Sequence, residues 1–128
     1  MARSTQGLRA GGMERATALQ VFPYLTADEQ LQAFPDLVFL ASSAHGSIGV
    51  VRNAILALPR DFVLNNVEQE AEGYLRDGTY DEFRRFLELF WLLDRGMTRR
   101  LAERAAGQID ADIREAGVDF LEKLSADE

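Results

Sequence analysis

Residues 79–96 read TYDEFRRFLELFWLLDRG and contain a helix start, an apolar stripe and a helix stop. Thr79 and Glu82 have the spacing of a capping box, in which each side chain accepts a hydrogen bond from the free backbone N–H of the other residue. Gly96 is typical of the residue that ends a helix. These signals predict an α-helix over residues 80–94. Its core-facing stripe follows steps of three and four: Phe83, Phe86, Phe90 and Leu93.

The same signals recur along the rest of the chain. Thr26 and Glu29 repeat the capping-box spacing, and Asp61, Thr98 and Asp110 stand where three further helices would begin. Apolar residues recur at helical steps rather than in the alternation typical of a strand. The sequence therefore predicts an all-α fold, whose short connections favour antiparallel helical hairpins. The predicted helices cover 14–22, 27–34, 36–44, 47–58, 61–76, 80–94, 98–106 and 110–124.

Length and composition indicate a single domain. The chain has 128 residues, of which 47% are hydrophobic, enough to fill one core. We expect a helical domain over 13–125, preceded by a flexible, glycine-containing tail at 1–12. No run of about 18 apolar residues is present, so no membrane span is predicted. The chain has no cysteine, which excludes disulfides and thiolate chemistry and makes a cytoplasmic location the simplest expectation.

The charges are unevenly distributed along the chain. The net charge is −7, yet residues 1–60 carry five arginines against four carboxylates, whereas residues 61–128 carry nine basic and seventeen acidic residues. Non-specific nucleic-acid binding depends on neutralising phosphates with basic side chains. The acidic second half therefore argues against nucleic acid as the partner and favours a solvated acidic surface.

An internal repeat is suggested by a shift of 53 residues. That shift superimposes the two capping boxes and places the apolar run 37–40 on 90–93. The correspondence indicates two related units, 26–76 and 79–125, as expected of a helical repeat protein. Capping boxes are common in helical proteins, so their coincidence also has an explanation without duplication.

The last predicted helix resembles the second helix of a HEAT repeat. Residues 110–117 read DADIREAG, with Asp110 at the N-cap, Ile113 and Ala116 on the inner face, and Arg114 at the position of the family's ladder arginine. Gly117 departs from the usual alanine and would allow a neighbouring backbone to approach closely. The resemblance implies a short HEAT-like α-α superhelix, or a compact bundle of the same hairpins, that holds a partner and performs no chemistry.

The residue pattern predicts no catalytic, cofactor-binding or metal-binding residue. His45 is the single histidine and lies in a polar segment, without a predicted carboxylate to orient it. Glu68, Glu70 and Glu72 are spaced by two and point around a helix, so they cannot converge on one ion. The glycine-containing segment 7–12 lacks the following lysine of a phosphate loop.

Two apolar surfaces are candidates for partner binding. In the 80–94 helix, Leu89, Trp91 and Leu92 lie off the main stripe, so they need either a second layer of packing or a partner. The 14–22 helix has more apolar surface than one stripe requires, including Leu19 and Phe22. This surplus predicts a symmetric homodimer or a partner contact at the N-terminal end.

The basic cluster Arg95, Arg99, Arg100 and Arg104 is a candidate anion-binding site. Glu88, Asp94 and Glu103 lie at helical spacing to several of these arginines, so local ion pairing is the competing interpretation.

The function predicted from these features is a non-catalytic scaffold or adaptor that binds another protein or itself. One alternative is a helical subunit that binds nucleic acid through the arginine cluster. A second alternative is an enzyme of unrecognised type that uses pairs of Asp and Glu.

Overall fold

The computed structural model describes residues 22–42, 46 and 48–127. Within these ranges the chain is an all-α bundle without a strand, as predicted. Of the helices described there, none has both the length and the apolar character needed to cross a membrane. A short 3-10 turn, Phe22–Tyr24, precedes seven α-helices: α1 (Ala27–Gln32), α2 (Phe34–Ala41), α3 (Ile48–Ala57), α4 (Arg60–Leu75), α5 (Tyr80–Leu93), α6 (Arg95–Ala106) and α7 (Ala111–Asp127).

Three of the predicted helix starts are confirmed. Thr26 caps α1 in a complete capping box, in which the Glu29 amide donates to Thr26 Oγ1 at 3.2 Å and the Thr26 amide donates to Glu29 Oε1 at 2.7 Å. Thr79 begins α5 in the same way, and its amide donates to Glu82 at 3.3 Å. Asp110 accepts the first free amides of α7 at 2.9 and 3.0 Å. These contacts satisfy donors that a helix start leaves unpaired.

Three other predicted boundaries are wrong. Asp94, rather than Thr98, caps α6, and its carboxylate accepts the Met97 amide at 2.9 Å. Thr98 is buried one turn into α6, and its hydroxyl donates to the Asp94 carbonyl at 2.8 Å. Gly96 therefore lies inside the first turn of α6 instead of ending α5. Asp61 lies inside the first turn of α4, where it faces the positive end of the helix dipole without capping it.

The predicted break between the helices at 27–34 and 36–44 is present, but it lies at Ala33 rather than at Pro35. Helix α1 ends at Gln32 with Ala33 as its C-cap, and α2 begins at Phe34 with Pro35 in its first turn, where the missing proline N–H costs nothing. Two short helices therefore occupy the place of one continuous helix. The predicted tail and most of the predicted 14–22 helix lie outside the described residues.

Helix α5 occupies the centre of the bundle. It contacts α2, α4, α6 and α7, so it is packed on several sides at once. Its buried residues therefore extend beyond the stripe predicted from sequence and include Leu87 and Leu89. The requirement for a second layer of packing around α5, noted from its sequence, is thus met mainly by other helices of the same chain.

Helices α6 and α7 form the most extensive helix pair, and Gly117 sets their separation. A Cβ atom added at Gly117 would lie 2.4 Å from the Ala106 amide nitrogen and 2.6 Å from the Ala102 carbonyl oxygen. Both distances are far below van der Waals contact, and backbone atoms cannot rotate away as a side chain can. The close backbone approach inferred from the sequence at Gly117 is therefore present.

We expect Gly117→Ala to lower the free energy of unfolding by about 1–3 kcal/mol, the usual cost of overpacking, despite alanine's better helix propensity. Gly73→Ala is the matched control, because Gly73 also lies within a helix and its added Cβ would meet no atom within 4 Å. That control should gain up to about 1 kcal/mol. Urea unfolding measures both variants, and equal stabilisation of the two would contradict the close approach.

Candidate interaction surface

Two of the residues predicted to bind a partner are buried. Leu89 has no exposed surface, because the sides of α5 away from its main stripe are covered by other helices. Phe22 is 4% exposed and belongs to the same core cluster. The prediction of a binding surface at these two residues is therefore wrong. Leu19 lies outside the described residues, so the predicted self-association through it stays a prediction.

Trp91 is half-buried beneath charged side chains. Its ring packs edge-on against Phe120, with 6.1 Å between ring centroids. The Arg95 guanidinium lies 3.6 Å from the indole centroid, and the Lys123 ammonium lies 5.5 Å from it. Both distances are within the range of cation–π contacts. Leu92, the next residue, is 49% exposed and remains available to a partner.

The predicted arginine cluster is divided among separate ion pairs. Arg100 binds Glu68 through two hydrogen bonds of 3.1 and 2.7 Å, and Arg104 binds Glu72 through two of 2.6 and 3.1 Å. Arg95 turns to Asp127 at the end of α7, at 3.0 Å. At least three of the four arginines are therefore held by carboxylates of α4 or α7, rather than by the local partners considered from spacing. They do not converge on one anion.

These pairs also change proton affinities. The hydrogen bonds from Arg104 lower the pKa of Glu72 below its usual value, because they favour the charged carboxylate. The hydrogen bonds to Glu68 raise the pKa of Arg100 in the same way. Both pairs span the groove between α4 and α6, whose lining includes Leu75, Phe90 and Leu101 of the core.

Two polar contacts reach α5, one from α3 and one from Arg60, the first residue of α4. Arg52 Nη2 of α3 binds Glu88 Oε1 of α5 at 2.5 Å. Further along, Arg60 Nη2 donates to the Leu93 carbonyl at 2.7 Å. Between these contacts, Leu56 lies one turn after Arg52, and Leu92 lies one turn after Glu88.

Leu56 and Leu92 therefore each lie one turn beyond a residue of the Arg52–Glu88 ion pair. They are 42% and 49% exposed, respectively. We call this site the α3–α5 surface and define it by Leu56 and Leu92, with Arg52 at one end and Arg60 at the other. The exposed side of α3 next to it bears no charged residue and consists of Gly49, Val50, Asn53, Leu56 and Ala57.

Three arginines gather at the Arg52 end of this surface. Glu88 lies 2.5 Å from Arg52, 3.4 Å from Arg85 and 3.7 Å from Arg84. Within the described part of the chain, the Nε atoms of Arg52 and Arg85 are buried without a hydrogen-bond partner. For Arg85 the 3.4 Å contact is thus an ion pair whose geometry does not make a hydrogen bond.

Sequence reasoning identified Leu92 but missed Leu56, because Arg52 and Glu88 lie 36 residues apart. The local sequence shows only that Arg84 and Arg85 lie four and three residues before Glu88, the spacing of ion pairs along one helix. No group of three or more His, Cys, Asp or Glu side chains in the described ranges is arranged to hold a metal ion. His45 lies outside those ranges.

The Glu72–Arg104 pair predicts a specific pH dependence. Because the pKa of Glu72 is lowered in the folded state, its contribution to stability is complete above the ordinary value of 4.5 and is lost as the pH falls through the folded value. Glu72→Gln should therefore be less stable than wild type at pH 6, by at most about 1 kcal/mol for so exposed a pair. The difference should shrink towards pH 3.

Urea unfolding at low salt, repeated at several pH values, measures this difference. Glu103→Gln on α6 corrects for the loss of one carboxylate elsewhere on the surface. A deficit of Glu72→Gln that stays constant from pH 6 to pH 3 would show that the pair does not couple stability to protonation.

Comparison with protein-family models, with curated proteins and with solved structures found no match to this chain. The HEAT-like character of the C-terminal helix therefore depends on its own residues and stays a prediction. The described residues form an all-α bundle in which Leu56 and Leu92 are exposed.

Proposed function

We propose that this protein is a non-catalytic protein-binding module that holds its partner at the α3–α5 surface. The observation that carries the proposal is the exposure of Leu56 and Leu92, each of which lies one turn beyond a residue of the Arg52–Glu88 ion pair. Large apolar side chains exposed on a surface rimmed by polar groups are typical of interaction sites. The uncharged exposed side of α3 extends the same apolar area.

The energetics fit a small anchor site. Completing the burial of two half-exposed leucines contributes on the order of 2 kcal/mol in total. A stable complex needs more than this, so the remaining contacts must come from the polar rim and from the exposed side of α3. The resemblance of α7 to a HEAT helix supports the same class of function, since helical hairpins of that family hold partners.

The nucleic-acid alternative has less support. Arg95, Arg100 and Arg104 are engaged by carboxylates, and a phosphate would have to compete with those carboxylates for the same guanidinium groups. The surrounding surface of α7 adds like charge that repels phosphate, through Asp112, Glu115 and Glu122. Binding of a protein through apolar contacts does not meet this obstacle.

We expect Leu56→Glu/Leu92→Glu to lose partner binding while keeping the fold. Immobilised wild type and variant are exposed to lysate of the source organism, and the captured proteins are quantified by mass spectrometry. The proteins captured by wild type should fall at least tenfold with the double variant, because two carboxylates would be buried without partners in the complex.

Val118→Glu is the matched control, since Val118 is 45% exposed on α7, away from the α3–α5 surface. Its captured set should equal that of wild type. All three proteins should unfold within about 0.5 kcal/mol of one another, because these positions are exposed. Undiminished capture by the folded double variant would exclude the α3–α5 surface as the binding site.

A further inference from the structure

We infer that the partner held by α3 is a second copy of this chain, with the two α3 helices packed antiparallel about a two-fold axis at Asn53. This inference rests on the proposed function, in which the exposed side of α3 forms part of the binding site. Apolar exposure alone would accept any partner. The absence of charge and the order of the residues along α3 select a copy of the same helix.

Helix α3 is covered by the bundle on one side only. Its main neighbour is α2, and α4 adds a smaller contact. Val51 and Ile55 face inward and have no exposed surface. On the opposite side Val50 is 52% exposed and Leu56 is 42% exposed. The exposed residues of α3 form one face along the helix and are Gly49, Val50, Asn53, Leu56 and Ala57.

This face bears no charge, although the molecule is acidic. The exposed residues of α1, α4, α6 and α7 include charged side chains, whereas those of α3 do not. Arg52, the one charged residue of α3, binds Glu88 of α5 at 2.5 Å. The chain has a net charge of −7, so two copies repel each other wherever acidic surfaces meet. On the neutral α3 face, two copies can pack together without placing like charges in contact.

The order of the residues on this face matches a two-fold contact, in which every contact between different residues is made twice. With the axis at Asn53, a residue before Asn53 meets the residue equally far after it in the other copy. Val50 then meets Leu56 of the partner subunit, and Gly49 meets Ala57 of the partner subunit. Asn53 meets Asn53 of the partner subunit, and an amide side chain can both donate to and accept from an identical amide. The α3 face is therefore complementary to itself.

The size of the face determines the expected strength of the dimer. The ten residues of α3 extend roughly 15 Å, and a helix is about 10 Å wide. A contact of this size buries less than the roughly 800 Å² per partner that is typical of a stable complex. The small residues Gly49 and Ala57 allow the two helix axes to approach closely. We therefore expect a weak, reversible dimer that forms only at high protein concentration.

The experiment is disulfide cross-linking of the full chain, which is specific because the chain has no cysteine of its own. Asn53→Cys should form a covalent dimer with itself under mild oxidation, because its two copies lie at the axis. Val50→Cys and Leu56→Cys should cross-link at least tenfold faster when mixed than either does alone. Two copies of either residue are offset by roughly 9 Å along the helix, which exceeds the Cα–Cα separation of a disulfide.

Val118→Cys is the matched control, since Val118 is 45% exposed but lies on α7. It should cross-link only at the slow rate of random collisions. Light scattering adds a measurement that needs no cysteine. The mass of wild type should rise from 14.3 kDa towards twice that value between about 10 µM and about 1 mM protein. Leu56→Glu should need at least tenfold more protein to reach the same mass, because its dimer buries two carboxylates.

The outcomes separate the inference from the proposed function. A wild-type mass that stays at 14.3 kDa, with Asn53→Cys no faster than Val118→Cys, would overturn the second copy as partner. The proposed function would still stand if the proteins captured from lysate were lost with Leu56→Glu/Leu92→Glu. Faster cross-linking of Val50→Cys with itself than with Leu56→Cys would overturn the antiparallel arrangement. A dimer undiminished by Leu56→Glu would exclude the α3 face as the contact.

Discussion

The burial of α5 on several sides is the constraint on which the rest of the bundle depends. A helix that carries Leu87 and Leu89 in addition to its main apolar stripe cannot be stable against a single neighbour. Helices α2, α4, α6 and α7 therefore surround it. Helices α4 and α6 both flank α5, and a groove lies between them. Glu68 and Glu72 of α4 pair with Arg100 and Arg104 of α6 across this groove.

This arrangement also determines which parts of α5 reach the surface. Its middle is enclosed, whereas its last turn extends to the end of the bundle, where Leu92 is exposed. Helix α3 reaches α5 through the long side chain of Arg52. Leu56 of α3 and Leu92 of α5 both stay exposed. The proposed binding site is thus a consequence of incomplete packing at one edge of the bundle.

Local chemistry made much of the fold predictable from sequence. The hydrogen bonds of a capping box join residues three apart, so Thr26 and Thr79 could be identified without knowledge of the tertiary structure. The segment from Asp94 to Thr98 was misread because it contains two residues that favour N-caps, with a glycine between them. The burial of Thr98 against other helices decides between them, and sequence periodicity does not report that burial.

The candidate site was only partly predictable for a similar reason. Off-stripe apolar residues in α5 indicated that additional cover was needed, but not whether a helix or a partner supplied it. For Leu89 the cover is the bundle itself; Leu92 is left open. Leu56 is related to α5 through the Arg52–Glu88 ion pair between distant segments, which no local pattern contains. The internal repeat and the HEAT resemblance stay predictions.

The Asp94 corner has a consequence for how the chain tolerates changes in length. One residue, in an extended conformation, separates α5 from α6, and its backbone and side chain take part in both helix ends. An insertion there would break the α6 cap and rotate the remainder of the chain relative to α5. The connection between α6 and α7 is different, since Ile109 is 95% exposed. The α6–α7 connection can therefore accept added residues, whereas the one-residue connection between α5 and α6 cannot.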